Sequence, residues 1–353
     1  MPSWIWERLS DETRPVVLYG TGNGADRILD VLGARGVAVS GIFASDGFVR
    51  KRTFRGYEVE SYGSVVKRLG DDIVILVAFG TSRPDVIKNI IAMSGRHTVL
   101  VPDLPVAGEN VWCRGFYEKN REPIRGAREL LSDEASRNLF DSVLEYRAGG
   151  ELGPLFENLS AEDDIWRELL RPETYLRAAD IGAYNGDTAV DLFRRAPGIE
   201  KITAVEPDEK NFSSLCVTSG IYGCITPVRA AAWDRREVLT FSRDGGRGAG
   251  RRKPGDRRTS EVIGLPLDQI LDGASVDYVK IDAEGSEGRV LAGAAKTVSE
   301  FRPDLRIASY HRPEDVFTLS ALINEICPGY GFYLRRTPCV PCWDLDLIAI
   351  YRG

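Results

Sequence analysis

The sequence predicts an α/β protein made of two doubly wound domains. Short apolar strands alternate with helical segments along most of the chain, and twice a glycine-rich turn joins a strand to a helix. At about 150 residues per domain, a length of 353 residues also predicts two domains. We expect a Rossmann-like domain over residues 1–121, a helical connector over 122–174 and a second α/β domain over 175–353.

Composition narrows the possible functions. Hydrophobic residues make up 43% and charged residues 28%, which is typical of a globular protein. A net charge of -6 argues against nucleic acid as the main partner, since phosphate binding requires a basic surface. The most apolar run, Ile73–Phe79, is far shorter than the about 20 residues of a membrane span, so we expect none. Charged residues interrupt the amino-terminal MPSWIWERLSDETR, which predicts a cytoplasmic protein instead of a secreted one. A homo-oligomeric state is compatible with the sequence.

The first half alternates strands with helices. Predicted strands are Val16–Tyr19, Val37–Phe43, Ile73–Phe79 and Thr98–Val101, and predicted helices are Asp26–Ala34 and Pro84–Met93. This order favours a parallel sheet covered by helices on both faces.

The first glycine turn, Gly20–Ala25, lies in the strand-to-helix context of a dinucleotide-binding fingerprint, and Asp46 follows the second strand. The segments VVLYGTGNGADRILDVL, GIFASD and FRGYEVES resemble small Rossmann-type domains that accompany sugar-modifying enzymes. Three interpretations stay open for this domain: binding of a nucleotide or nucleotide-sugar, binding of NAD, or a docking role without a ligand.

The sequence of the connector predicts a long helix. Ser132 is the expected N-cap, Leu139, Val143 and Tyr146 share one face, and Gly149 is the expected stop. The strand and glycine turn then recur at LRAADIGAYNGDTAVDLF. Later strands are predicted at Lys201–Val205, Ile225–Ala231, Val276–Ile281, Leu305–Ser309, Phe332–Arg335 and Leu345–Tyr351.

The second glycine turn predicts a ligand at the carboxyl edge of the sheet. Gly182 and Gly186 allow close approach to the backbone after Asp180. Glu206 closes the next strand 26 residues after Asp180, where a carboxylate can accept hydrogen bonds from ribose hydroxyls, and Pro207 ends that strand. This pattern indicates an adenosine-containing ligand.

Five motifs add a family resemblance. In order, DIGAYNGDT, AVEPDEKNF, AAAWD, VDYVKIDAEGSEGRVLAGA and PDLRIASYHRPEDV resemble the FkbM-type family of S-adenosylmethionine-dependent methyltransferases, over about residues 175–352. The resemblance implies the class I methyltransferase fold, with a seven-stranded sheet whose last two strands form an antiparallel hairpin. It also implies S-adenosyl-L-methionine as cofactor and O-methylation of a sugar or related polar metabolite, for a cell-surface glycan or a secondary metabolite. The cofactor-binding residues implied or predicted are Asp180, Gly182, Ala183, Tyr184, Gly186, Asp187, Glu206 and Pro207.

Methyl transfer to a hydroxyl requires a group that accepts the hydroxyl proton. The predicted catalytic residues are Asp282, Glu284 and His311, which follow neighbouring strands and are expected at one pocket mouth. The ordinary pKa of histidine makes His311 a candidate base, with substrate binding or a structural role as alternatives. Asp282 and Glu284 have a second interpretation as ligands of a divalent cation, although we assign no metal.

Lys280, Glu287 and a pair of cysteines are expected to have structural roles. Lys280 is expected to pair with a carboxylate, and Glu287 is expected to begin the next helix near its positive end. Cys339 and Cys342 are expected to be loop thiols, because no second cysteine pair at zinc spacing accompanies them.

The segment Arg243–Arg258 is basic and rich in glycine. It is expected to be a solvated loop, or else a flap that attracts an anionic substrate such as a phosphorylated or nucleotide-linked sugar or an acidic glycan. Two other functions compete with a methyltransferase. The first domain could carry out the chemistry of a nucleotide-sugar- or NAD-dependent enzyme, or the second half could be a binding protein without activity.

Overall fold

The computed structural model describes residues 4–45, 53–242 and 259–353, and these residues fold around two large β-sheets. The predicted α/β fold class is confirmed. Asp46 and the basic segment Arg243–Arg258, for which the sequence made predictions, lie outside the described residues.

The first sheet has six strands in the order β3-β4-β2-β1-β5-β6. The strands are β1 (Val16–Tyr19), β2 (Val39–Ala44), β3 (Thr53–Phe54), β4 (Tyr57–Ser61), β5 (Val74–Val77) and β6 (Thr98–Leu100), with helices α1 (Ile5–Ser10), α2 (Asn23–Ala34), α3 (Tyr62–Leu69) and α4 (Pro84–Ser94). All residues of β1 and β5 are buried, because helices cover the sheet.

The four predicted strands, β1, β2, β5 and β6, pair in parallel as expected. The sequence did not predict β4, which pairs in parallel with β2, or β3, which pairs antiparallel with β4. Arg55 and Gly56 both have positive φ, at 51° and 87°. Two such residues form the kind of tight turn that joins neighbouring antiparallel strands. The sheet is therefore mixed.

The connector is helical, as predicted. Helix α5 (Arg114–Lys119) precedes it, and its own helices are α6 (Arg121–Leu130), α7 (Glu134–Gly149) and α8 (Glu162–Glu168), with 3₁₀ turns at Gly153–Phe156 and Pro172–Thr174. The predicted N-cap was wrong by one residue: the Asp133 side chain accepts from Ser136 N, whereas Ser132 Oγ accepts from Phe332 N. Gly149 is the last helical residue, and Gly150 is the left-handed cap at φ 69°.

The second sheet has seven strands in the order β15-β16-β14-β13-β7-β8-β9. The strands of this half are β7 (Arg177–Ile181), β8 (Lys201–Val205), β9 (Ile225–Val228), β10 (Ala231–Ala232), β11 (Glu237–Ser242), β12 (Thr259–Leu265), β13 (Tyr278–Ile281), β14 (Asp304–Ala308), β15 (Tyr330–Arg336) and β16 (Leu345–Tyr351). The helices are α9 (Asp187–Arg195), α10 (Glu209–Ile221), α11 (Leu267–Leu271), α12 (Glu287–Ala292), α13 (Ala295–Phe301) and α14 (Asp315–Ile326).

The last two strands form the expected antiparallel hairpin, and β16 lies between β14 and β15. One prediction in this half was wrong: Ile225–Ala231 is not one strand. It ends at Val228, and Ala231–Ala232 pairs instead with β12 in a separate three-stranded sheet. That sheet depends on pairing between distant segments, which the local pattern does not specify.

The two large sheets contact each other through the loop between β15 and β16. Thr81 and Val340 exchange backbone hydrogen bonds of 2.7 and 2.9 Å. A Cβ on Gly80 would lie 1.9 Å from the Trp343 ring, so this contact requires glycine. Apolar residues of both sheets also belong to one buried cluster. Among the described residues, no helix has the length and apolar character that a membrane crossing requires.

Candidate active site

The second glycine turn passes very close to the end of β13. Gly182 has φ 80°, and a Cβ there would lie 1.9 Å from the Asp282 carbonyl oxygen. Gly186, at φ 89°, precedes α9, which begins with Asp187. The glycines therefore bring the turn against the strand that carries the acidic motif.

Glu206 is fixed beside this turn. The residue is 6% exposed, its Oε2 accepts a hydrogen bond from Tyr184 N, and its Oε1 accepts one from Asp208 N, both at 2.9 Å. Burial raises the pKa of Glu206, while the two backbone donors oppose that change. The carboxylate thus lies at the carboxyl edge between β7 and β8, with Ala183 buried in the turn and Pro207 next along the chain.

Asp180 is the second-to-last residue of strand β7 and is 2% exposed. Its Oδ2 accepts from Thr188 Oγ1, but its Oδ1 has no hydrogen-bond partner. Lys280 Nζ lies 3.7 Å from that Oδ1 and 3.6 Å from Asp282 Oδ2. Lys280 therefore pairs with a carboxylate, as expected, and does so with two. Burial raises the pKa of Asp180, and the charge of Lys280 opposes it.

A cavity of about 300 Å³ opens beside Asp180, between the sheet and helices α8 and α9. Its charged lining residues are the six acids Glu162, Asp180, Asp191, Asp282, Asp344 and Asp346 and the two bases Lys280 and Arg306. Uncharged lining residues include Thr337 and Tyr310. Because acids outnumber bases, the cavity favours a cationic group over an anionic one.

The three predicted catalytic residues come together. His311 Nε2 lies 3.5 Å from Asp282 Oδ1 and 3.7 Å from Glu284 Oε2. Both carboxylate side chains are 34% exposed, whereas the imidazole is buried. The imidazole therefore lies behind two carboxylates that reach solvent.

Sequence reasoning missed one member of this cluster. His311 Nδ1 lies 2.8 Å from Glu287 Oε1, and Glu287 is fully buried at the start of α12. The same oxygen accepts hydrogen bonds from Ala283 N and Gly285 N. The sequence places Glu287 correctly at a helix start, but only the structure shows that it faces His311.

These contacts raise the pKa values of both His311 and Glu284. The change favours the charged form of the imidazole but the neutral form of the carboxyl group. Burial opposes a charged His311, but Glu287 and Asp282 outweigh it and raise the pKa of His311 to about 9. Burial raises the pKa of Glu284 to about 7, with His311 opposing and Asp282 adding to the change. The imidazole is therefore protonated near neutral pH, while Glu284 loses its proton in that range. Glu206 also contributes to the raised pKa of Glu284, so it lies near this cluster.

The cluster also contains atoms that could bind a cation. Single ligand atoms of Asp282, Glu287 and His311 lie within 4.8 Å of one another. However, Glu287 Oε1 already accepts three hydrogen bonds, one of them from the imidazole. Hydrogen bonding accounts for Oε1 of Glu287, while its Oε2 is buried without a hydrogen-bond partner. We assign no metal, and the divalent cation at Asp282 and Glu284 stays an alternative interpretation.

The two loop cysteines lie between β15 and β16, as expected, but both are buried. Burial raises the pKa of Cys339 to about 12, so this thiol is not poised for nucleophilic chemistry. Arg336 holds the loop by donating to the carbonyl oxygens of Cys339 and Pro341. The loop is a packing element of the fold.

A solved methyltransferase structure has a similar fold over nearly the whole length of this chain. The structure of methyltransferase FkbM from Methylobacillus flagellatus KT superposes with a TM-score of 0.71 at 22% identity, covering 96% of this chain and 90% of that chain. Weaker similarities include a precorrin-6y C5,15-methyltransferase from Geobacter metallireducens GS-15 (11% identity, 50% and 80% coverage, TM-score 0.33). Another is a putative caffeoyl-CoA O-methyltransferase from Staphylococcus aureus (13% identity, 67% and 96% coverage, TM-score 0.33). No curated protein matches the chain.

The seven-stranded sheet with its antiparallel hairpin defines a class I methyltransferase fold. Residues 180–333 match the family model described as the methyltransferase FkbM domain. This part of the chain is therefore similar to the FkbM methyltransferases, a family that uses S-adenosyl-L-methionine.

Proposed function

We propose that the protein methylates a hydroxyl group of a sugar or related polar metabolite and that Glu284 accepts the hydroxyl proton. The observation that carries this proposal is the cluster of Glu284, Asp282 and His311 beside Glu206. A hydroxyl acceptor must lose a proton during methyl transfer, and a base works best when its pKa lies near the working pH. The pKa of Glu284, about 7, meets that condition.

The residues of the second glycine turn fit the cofactor. S-adenosyl-L-methionine, when bound, supplies a methyl group on a positively charged sulfur. Buried Asp180, whose Oδ1 accepts no hydrogen bond and faces Lys280 at 3.7 Å, and the acidic cavity beside it suit a cationic molecule. Glu206 has a fixed carboxylate at the strand end where a ribose would bind. We therefore assign the cofactor to Asp180, Gly182, Ala183, Tyr184, Gly186, Asp187, Glu206 and Pro207.

His311 has a different role in this proposal from the one its ordinary pKa predicts. Because its pKa is about 9, the imidazolium holds Asp282 and Glu284 by charge instead of accepting the substrate proton at pH 7. Glu284 accepts the hydrogen bond of the acceptor hydroxyl and receives its proton, and Asp282 orients the acceptor by accepting a hydrogen bond from a neighbouring hydroxyl. Alignment of the hydroxyl with the cofactor supplies the remaining acceleration.

The acidic cavity that we assign to the cation of the cofactor also disfavours an anionic reacting group on the acceptor beside it. Hydroxyl groups donate hydrogen bonds to carboxylates, whereas a phosphate or a second carboxylate would be repelled by the acidic lining. An anionic carrier, if present, would therefore lie outside this cavity. This deduction favours an uncharged polyol at the reacting end of the acceptor.

The test is methyl transfer from S-adenosyl-L-methionine carrying a carbon-13 methyl group, with a panel of neutral sugars, acidic sugars, nucleotide-linked sugars and matched amines. We expect a new methoxy carbon by NMR, and Glu284→Gln should lower its formation, while the exposed control Glu325→Gln should not. Exclusive formation of N-methyl products would overturn the proposal. Calorimetric titration with NAD and nucleotide-sugars separates the competing functions: tight NAD binding lost on changing Gly22, without cofactor binding at Glu206, would favour an oxidoreductase.

A further inference from the structure

A segment of the first half of the chain crosses the catalytic loops. We call residues 103–112 the strap; it connects β6 to α5. Ala107 N donates a hydrogen bond of 2.9 Å to the His311 carbonyl oxygen. A Cβ on Gly285, which has φ 92°, would lie 2.3 Å from Ala107 Cβ. The strap therefore contacts the loop after β13 and the loop after β14.

Arg147 of α7 fastens both ends of the strap. Its Nε lies 3.2 Å from Asp103 Oδ2, and its guanidinium carbon lies 5.1 Å from the Trp112 ring centre. Its Nη1 donates a hydrogen bond of 2.9 Å to the carbonyl oxygen of Pro313. The Arg147 side chain, which is 1% exposed, therefore joins the strap to the loop that contains His311.

Arg312 adds a second connection between the loops. Its Nε donates to the Gly285 carbonyl oxygen at 2.5 Å. A Cβ on Gly108 would lie 3.2 Å from Arg312 Nη1, so the strap also packs on this side chain. The loop carrying Glu284, the loop carrying His311 and the strap are consequently held as one unit.

We propose that Arg147 is a positioning residue which, through the strap, holds His311 in its place behind Asp282 and Glu284. This inference rests on the proposed function, in which those three residues act on the acceptor. Glu287 fixes the imidazole of His311, whereas the strap fixes its main chain. Both constraints are needed, because a displacement of about 1 Å can cost about 10²-fold in rate.

The principal test compares Arg147→Met and Arg147→Lys with the control Arg128→Met. The control removes another arginine–aspartate pair of the connector, Arg128–Asp141, which is half-exposed. We expect Arg147→Met to lower kcat by about 10- to 100-fold, with the cofactor Kd changed by less than about 3-fold. Arg147→Lys should recover part of kcat, and Arg128→Met should match the wild type.

A second readout needs no turnover, so it separates this inference from the proposed function. The chain has two histidines, so the His311 imidazole can be titrated by NMR with His97 of the first half as an internal reference. The charged groups that act on the His311 imidazole are Glu287, Asp282, Glu284 and Asp315. Displacement from the nearest carboxylates in Arg147→Met should lower the pKa of His311.

An unchanged kcat and an unchanged His311 titration in a folded Arg147→Met protein would overturn the proposal. If that variant does not fold, Ala107→Pro, which removes the hydrogen-bond donor to the His311 carbonyl oxygen and leaves Arg147 in place, should give the same two effects. Hydrogen exchange of the wild-type protein gives an independent outcome. The Ala107 amide should exchange as slowly as the amides of β14, and exchange at the rate of an exposed loop would refute the role of the strap.

Discussion

His311 Nδ1 and Glu287 Oε1 lie 2.8 Å apart, and the two residues are 1% and 0% exposed. A buried carboxylate paired with a buried imidazole stabilises the positive form of the ring. This pair sets the chemistry of the whole cluster, because the ring in turn faces Asp282 and Glu284.

Glu287→Gln should lower the pKa of His311 from about 9 toward 6.5, because the largest attraction for the imidazolium is removed. NMR titration of the two histidines measures this change directly. The matched control is Glu314→Gln, a partly exposed glutamate near the same loop, which should leave the titration unchanged. A His311 pKa that stays near 9 in Glu287→Gln would contradict our account of the cluster.

The rate of methyl transfer should depend on pH as a bell-shaped curve. It should rise with pH through about 7, because Glu284 accepts a proton only after losing its own, and fall through about 9, where His311 loses its charge. Glu284→Gln should lower kcat by about 10² to 10⁴-fold and remove the rising limb. If the variant keeps that limb, another group accepts the proton.

Glu206→Gln should weaken cofactor binding by about 10- to 100-fold, the effect of about 1.5–3 kcal/mol expected from hydrogen bonds to a charged group. Calorimetric titration with S-adenosyl-L-methionine measures it. Glu200→Gln is the control, since Glu200 is an exposed residue just before the same strand. Equal Kd values for both variants and the wild type would remove Glu206 from the cofactor site.

Gly80→Ala should destabilise the protein by about 1–3 kcal/mol, because its Cβ would overlap the Trp343 ring. Chemical denaturation measures the loss, and Trp343→Ala should relieve the overlap in the double variant. Gly33→Ala, in α2 with open space around it, should instead be neutral or stabilising by up to about 1 kcal/mol. Additive effects of the two changes at 80 and 343 would show that the two residues do not touch.

Much of the second half was predictable because its signals are local. Strands Lys201–Val205 and Leu345–Tyr351 agree with the structure in both bounds, since each is an apolar run between breaking residues. The position of Asp282, Glu284 and His311 at one edge follows from strand order, because carboxyl ends of parallel strands meet there. Ser132 and Asp133 are both good caps, so the choice between them was decided by Phe332, which recruits Ser132.

The sequence by itself determined the fold class, the family motifs and the residue types that the chemistry requires, because periodicity and glycine turns act over a few residues. The tertiary structure alone decided which of those residues control one another. The pairing of His311 with Glu287, the raised pKa of Glu284 and the strap at Ala107 join segments from separate parts of the chain. Such effects depend on burial and on distances of a few ångströms, and these quantities exist only once the chain has folded.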